Sequence, residues 1–209
     1  MSMLPDLEGY FRRFVPPRDE FLKRLEEEAV FERIPIVGPV VAELLALLVV
    51  AMGARQVLEL GTATGYSAIY LARALAVTDG HLLTLERDPV MAARAQANLS
   101  RAGVADRVEV RTGEALKILA ELTGPFDFIF LDIDKEGYLP ALPHCHRLLR
   151  PGGLLVADNV GFAAAADFNR ELFLSPGWRS VPLLCLLPQH SPERDGLAFA
   201  VKVEGDRSG

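Results

Sequence analysis

Residues 57–67 read V-L-E-L-G-T-A-T-G-Y-S: an apolar strand, a turn punctuated by Gly61 and Gly65, and the start of a helix. Glycine at those two places lets the backbone turn tightly and approach a ligand closely, while Thr62, Thr64 and Ser67 put hydroxyls where the helix begins. The spacing is G-x-x-x-G. A dinucleotide turn would carry glycine at the position of Ala63 to complete G-x-G, which argues against a nicotinamide cofactor. Glu59 lies two residues before Gly61, shares its strand face, and is placed to meet a cationic or hydroxyl-bearing ligand at the strand's carboxyl end.

Outward from this turn, strand and helix patterns alternate. Residues 56–60, 81–86, 107–111, 126–132 and 153–158 read as strands, an order that predicts a parallel sheet with helices on both faces. Asp88 is a good N-cap, Pro89 suits a first helical turn, and Met91, Ala92, Ala95, Leu99 and Ala102 form one apolar stripe closed by Gly103. Pro151 with Gly152 and Gly153 is expected to end a helix near Arg150 and open the next strand. After Trp178, V-P-L-L-C-L-L-P, a polar turn through Asp195 and Gly196, and L-A-F-A-V-K-V predict a terminal hairpin.

Upstream, residues 18–33 carry Phe21, Leu22, Leu25, Ala29 and Val30 at helical spacing, predicting an amphipathic helix laid over the core. Residues 34–54 are nearly all apolar, with Glu43 the lone charge. Pro35, Gly38 and Pro39 shorten the usable helix to about 13 residues, below the ~20 a bilayer needs. A buried or dimer-facing helix is expected, not a membrane span. Residues 204–209 look frayed.

A chain of 209 residues fits one domain with a sizeable core. Its formal charge of -6 argues against a duplex nucleic-acid binder, which needs a basic stripe, and favours a small solute or acyl conjugate as partner. Cys145 and Cys185 are too few for a disulfide framework or zinc site and are expected to pack as small apolar groups. The opening M-S-M-L-P-D-L-E lacks a secretory pattern, so a cytoplasmic location is expected.

Two further stretches give the chain its chemistry: F-L-D-I-D-K-E-G-Y at 130–138 and L-L-V-A-D-N-V at 154–160, apolar strands ending in acids. Asp132, Asp158 and Asn159 are oxygen donors at adjacent strand ends, a hard set suited to Mg²⁺, Mn²⁺ or Ca²⁺; the plainer alternative for Asp158 and Asn159 is a turn after a strand. Lys135 follows three residues after Asp132, and its plain alternative is a surface lysine paired with Asp134 or Glu136. His144 and His146 are expected at the solvent or core rim.

With E-L-G-T-x-T-G-Y-S, Glu86 at a strand end, G-E-A at 113–115, D-x-D-K and P-G-G-L-L-V-A-D-N, residues 34–202 resemble the cation-dependent O-methyltransferases. These are class I S-adenosylmethionine enzymes that include catechol and caffeoyl-coenzyme A methyltransferases. The resemblance implies a Rossmann-like α/β fold, a seven-stranded, mostly parallel sheet with a C-terminal antiparallel hairpin strand. That fold occupies residues 34–209, behind a helical extension over 1–33.

The resemblance also implies roles. Glu86 would hold the ribose hydroxyls of S-adenosyl-L-methionine. Glu59, Gly61, Thr62 and Ser67 would surround its methionine part, with Val37 offering backbone contacts alone, while Gly113 and Ala115 would meet the adenine side and Asp132 would contact the cofactor and share with Lys135 the catalytic role. Asp132, Asp158 and Asn159 would ligate a divalent cation, Mg²⁺ foremost. Lys135 would sit beside the reacting hydroxyl of an aromatic diol as general base or oxyanion-orienting group. Family members carry a longer insertion after the D-N pair than V-G-F-A-A-A-A-D-F-N-R-E-L, so substrate identity does not transfer. Phe162, Tyr138 and Trp178 are candidates for an apolar substrate wall, against an ordinary role as core or interface aromatics. A homodimer is expected from the apolar helix and the extension. The competing reading is a degenerate methyltransferase fold that binds a nucleoside or a partner without turnover.

Overall fold

The computed structural model describes residues 3–203; the expected fraying at 204–209 lies outside them. Three helices come first, α1 (Leu7–Arg12), α2 (Glu20–Glu32) and α3 (Gly38–Met52). The alternating part follows as β1 (Gln56–Leu60), α4 (Tyr66–Thr78), β2 (His81–Glu86), α5 (Pro89–Arg101), β3 (Val108–Thr112), α6 (Ala115–Glu121), β4 (Phe126–Leu131), α7 (Tyr138–Leu148) and β5 (Leu149–Ala157). Helix α8 (Ala166–Leu174) and the hairpin β6 (Trp178–Leu186) and β7 (Arg194–Lys202) close the chain.

The seven strands form one sheet in the order β3-β2-β1-β4-β5-β7-β6. Strands β1 to β5 run parallel, and β7 is antiparallel to both β5 and β6. Side chains alternate across the sheet as strand geometry requires. Val57, Phe128, Phe130, Leu154 and Val156 pack into the core beneath α2 to α5, whereas Leu58, Leu60, Ile129, Leu131, Leu155 and Ala157 join the core beneath α6 to α8. Strand order reverses between β1 and β4, and the crevice beyond their carboxyl ends is where such sheets bind ligands.

The helix boundaries follow from the sequence. The Asp88 side chain accepts from the Val90 amide, Pro89 opens α5, and Ala92, Ala95 and Leu99 are buried. Asp19 caps α2 by accepting from the Leu22 amide; Leu22, Leu25 and Ala29 are buried, but Val30 is exposed. Val30 lies one residue past Ala29, about 100° around the helix, which carries it off the buried stripe. Helix α3 buries Val41, Ala42, Leu45 and Val49 against the core and leaves Leu47 and Val50 exposed. Among the described residues no helix is long and apolar enough to cross a membrane.

Three boundaries differ from expectation. Strand β5 starts at Leu149, so Pro151, Gly152 and Gly153 lie inside it: Leu149 pairs with Phe126, the register then shifts, and Leu154 pairs with Phe128. The breaker residues occupy an irregularity in the ladder, where a missing N–H and a positive φ of 72° at Gly152 are tolerated. Asp195 and Gly196 are strand residues, paired with Cys185 and Leu184, and the hairpin turns earlier. Helix α1 is a separate element within the helical extension expected over 1–33, where the sequence pattern predicts a helix at 18–33; Asp6 caps it by accepting from the Gly9 amide.

Candidate functional site

A cavity of about 540 Å³ opens at the switch point, within the ~300–1,000 Å³ typical of small-molecule sites. Its wall includes Val37, Gly61, Thr62, Ser67, Glu86, Gly113, Ala115, Asp132, Lys135, Asp158 and Asn159. The sheet brings them together. Asp132 and Asp158 are the first residues beyond β4 and β5, and Glu86 ends β2.

Close approach of the strand ends depends on Gly61. Its φ is +100°, and a Cβ built there would stand 1.9 Å from the Asp132 carbonyl oxygen, so a side chain would push β1 and β4 apart beneath the cavity. Ala63 adopts φ 46°, and its amide donates to Glu86 Oε2 at 2.8 Å. The Asp88 amide donates to Glu86 Oε1 at 2.9 Å. The Glu86 carboxylate is thereby fixed at the rim, with lone pairs left to accept from a bound hydroxyl.

Glu59 is the exception among the expected residues, because it lies behind the cavity wall. Its side chain is fully buried on the α4 side of the sheet. Thr84 Oγ1 donates to Glu59 Oε2 at 2.6 Å and lies 2.5 Å from Thr62 Oγ1, while Glu59 Oε1 has no hydrogen-bond partner among the described residues. Burial pushes this carboxyl up to about 7, with the Ser67 and Thr84 hydroxyls pulling the other way and the charges of Asp132 and Glu86 adding to the rise.

At the opposite end of the cavity the acids and bases interlock. Lys135 Nζ donates to Asp132 Oδ1 at 2.9 Å, the Tyr138 hydroxyl at 2.9 Å and the Ile133 carbonyl at 3.2 Å. These acceptors match the three N–H bonds of an ammonium. Asp134 pairs with Arg87 across the cavity mouth instead of with Lys135. Burial and the neighbouring Asp158 charge raise the Asp132 pKa, against the pull of Lys135 and His190. Tyr138 is fully buried, its hydroxyl 3.1 and 2.9 Å from the carbonyls of Leu131 and Asp158, so it ties the two strand ends together.

Asp158 and Asn159 are held from the other side by the hairpin. The Asn159 amide N–H donates to Asp158 Oδ1 at 2.8 Å, and His190 Nε2 lies 2.8 Å from Asp158 Oδ2. Burial works against a charged imidazole at His190, yet the hydrogen bond and charge of Asp158 prevail and raise its pKa. Asn159, at φ 50°, turns its Nδ2 toward two acceptors, Asp195 Oδ2 at 2.7 Å and the Ser191 carbonyl at 3.4 Å. That orientation leaves Asn159 Oδ1 for other partners. Asp195 Oδ1 in turn accepts from the amides of Gly161 and Gly196.

His190 and Asp195 were missed in the sequence, where H-S-P-E-R-D-G looks like a polar turn. The aromatic wall does not form as one surface. Tyr138 and Trp178 are buried in the α6 to α8 core, and Phe162 is exposed beside a separate groove. His144 is half-buried, and His146 is half-buried edge-on to Trp178, with Nε2 3.2 Å from the Gly177 carbonyl. Cys145 is buried, which pushes its thiol up to about 12; Cys185 is half-buried.

Comparison with known proteins agrees with this architecture. A catechol O-methyltransferase of Niastella koreensis is 49% identical over 128 residues, covering 59% of this chain and 58% of that protein. A catechol O-methyltransferase of Mycobacterium tuberculosis is 50% identical over the same length and shares of the two chains. The matched segment thus spans less than two thirds of these relatives. An O-methyltransferase from Bacillus cereus, solved in complex with SAH, superposes with a TM-score of 0.83 at 32% identity, covering 94% of this chain and 96% of that one. Residues 16–171 match the O-methyltransferase family, and the chain belongs to it.

Proposed function

We propose that this protein transfers a methyl group from S-adenosylmethionine to a hydroxyl of a small catechol-like substrate, with a divalent cation in the site. One observation carries the reading: the Gly61 turn, the fixed Glu86 carboxylate and the cluster of Asp132, Lys135, Asp158 and Asn159 all face one cavity at the switch point. The SAH held by the Bacillus cereus relative and the names of the catechol O-methyltransferase relatives support the choice of donor and acceptor.

The donor set fits a hard cation. Asp132 and Asp158 are carboxylates close enough for the charge of one to raise the pKa of the other, and Asn159 has its amide nitrogen anchored so that oxygen remains. Those three residues would hold the ion, and a bound dication would lower the pKa of a coordinated hydroxyl and orient a diol. Glu86 would accept from the ribose hydroxyls, Gly113 and Ala115 would pass beside the adenine, and Gly61, Thr62, Ser67 and the Val37 backbone would flank the methionine part. Glu59 would act from behind Thr62 and Thr84. Lys135 Nζ, beside Asp132, would as an ammonium hold the acceptor oxyanion, or, after giving up one of its own protons, take the proton of the acceptor hydroxyl. Most of the rate gain would come from orientation, which contributes up to roughly 7–11 kcal/mol in the best cases.

The test is calorimetry with S-adenosylmethionine, with and without Mg²⁺, followed by methyl transfer over a panel of catechols. Cofactor binding with Mg²⁺-stimulated transfer is expected. Binding without metal-stimulated transfer to any catechol would contradict the reading in favour of a non-catalytic nucleoside-binding fold.

A further inference from the structure

We propose that His190 is a positioning residue for the cation site, holding the Asp158 carboxylate in the orientation that metal binding requires. The inference rests on the cation reading above. Asp158 is clamped at both oxygens: Oδ1 accepts from the Asn159 amide at 2.8 Å and Oδ2 faces His190 Nε2 at 2.8 Å. Two contacts at opposite oxygens fix rotation about the Cβ–Cγ bond and still leave each oxygen a lone pair for a further partner. Both side chains are 1% exposed, so solvent offers no substitute donor.

The imidazole is itself fixed. Nδ1 lies 2.6 Å from the Pro192 carbonyl oxygen, which can only accept, so Nδ1 carries a proton; Nε2, facing the Asp158 carboxylate, carries one as well, and the ring plane is set from both sides. The loop that carries it is pinned as well. The Leu187 amide donates to the Glu193 carbonyl at 2.7 Å, the His190 amide to the Leu187 carbonyl at 3.0 Å, and the Gln189 amide to Glu193 Oε1 at 2.9 Å. Outside the loop, Arg12 donates to Glu193 Oε1 at 2.8 Å and Arg18 to Gln189 Oε1 at 2.9 Å. The N-terminal segment and the hairpin therefore present a preset histidine to the strand end. An imidazole bonded to a carbonyl on one side and to a ligand carboxylate on the other is an outer-shell arrangement, and loss of such a partner typically costs about 10–100-fold in metal affinity.

The experiment measures Mn²⁺ affinity by electron paramagnetic resonance of the free ion, in wild type and in three variants, with S-adenosylhomocysteine calorimetry alongside. His190→Leu, which fills the space without a donor, should bind Mn²⁺ about 10–100-fold more weakly. His190→Asn, too short to reach Asp158, should be weak as well. His190→Gln places an amide nitrogen near the position of Nε2 and should recover most of the affinity. Affinity for S-adenosylhomocysteine should be unchanged throughout. Should the Leu variant fail to fold, the Gln and Asn pair decides. Equal Mn²⁺ affinity in all four proteins, or a Gln variant no better than Asn, would overturn the positioning role. A wild-type protein that binds no Mn²⁺ would overturn the cation reading itself and this inference with it.

Discussion

Glu59→Gln should make the protein more stable at pH 8 while leaving it nearly unchanged at pH 4.5. The buried carboxyl titrates at about 7 in the folded protein, against an ordinary value of 4.5 that the unfolded chain would show. Between those values the unfolded state has released a proton that the folded state retains, so stability falls as pH rises. The stabilising contribution is complete below pH 4.5, declines through the window, and is lost once pH passes 7. At 1.36 kcal/mol per unit the full swing is about 3 kcal/mol. Glutamine keeps the size and an acceptor for Thr84, and its amide supplies a donor at a place where Glu59 Oε1 has no partner. Urea unfolding of both proteins at half-unit steps from pH 4.5 to 8.5 gives the difference directly. The curves should coincide at low pH, diverge steadily between pH 4.5 and 7, and run a few kcal/mol apart above 7, with half the separation reached about midway between the two values. Parallel curves across that range would refute the assignment of a neutral, buried Glu59.

Other outcomes follow from the same geometry. Gly61→Ala combines a clash of the new Cβ with the Asp132 carbonyl and a φ of +100°; overpacking at about 1–3 kcal/mol and backbone strain of a similar size should destabilise by roughly 2–6 kcal/mol. Its measure is the shift in denaturation midpoint, and a loss under 1 kcal/mol would contradict the close approach of β1 and β4. Tyr138→Phe removes a buried hydroxyl that serves Lys135 and two strand-end carbonyls, at a cost of about 1–3 kcal/mol, and should also lower transfer activity by loosening Lys135. Unchanged stability and activity would show the tie to be dispensable. The exposed Phe11, within α1, and Phe14, just after it, with Val181, Leu183 and Leu184 on the edge strand, should support a homodimer, checked by sedimentation equilibrium; a monomer at micromolar concentration would rule it out.

Legibility in the sequence followed how local each signal was. Strands β1 and β2 were readable to the residue because each is an apolar run that ends in a functional turn or acid, and α5 was readable from its cap, proline and stripe. Eleven of the expected site residues line one cavity, chiefly because Gly61, Glu86, Gly113, Asp132 and Asp158 sit at or just past the ends of parallel strands, with Val37, Ser67 and Lys135 brought in by the helices and turns that follow or precede them. Glu59 escaped its expected place because strand parity gave its face correctly but not the Thr62 and Thr84 hydroxyls that screen it from the cavity. Pro151 to Gly153 misled because breakers inside a register shift look like breakers between elements. Asp195 and Gly196 form a favoured turn pair, yet Asp195 is committed to Asn159, Gly161 and Gly196, contacts that the folded hairpin creates. His190 carries no local signal at all; its meaning comes from a partner 32 residues away.

The most direct test of the metal-assisted account is an anomalous-scattering map from crystals grown with Mn²⁺ and S-adenosylhomocysteine. The account predicts one strong peak bonded to oxygens of Asp132, Asp158 and Asn159, beside the sulfur of the cofactor product. A map with those three side chains turned apart and no peak among them would contradict it.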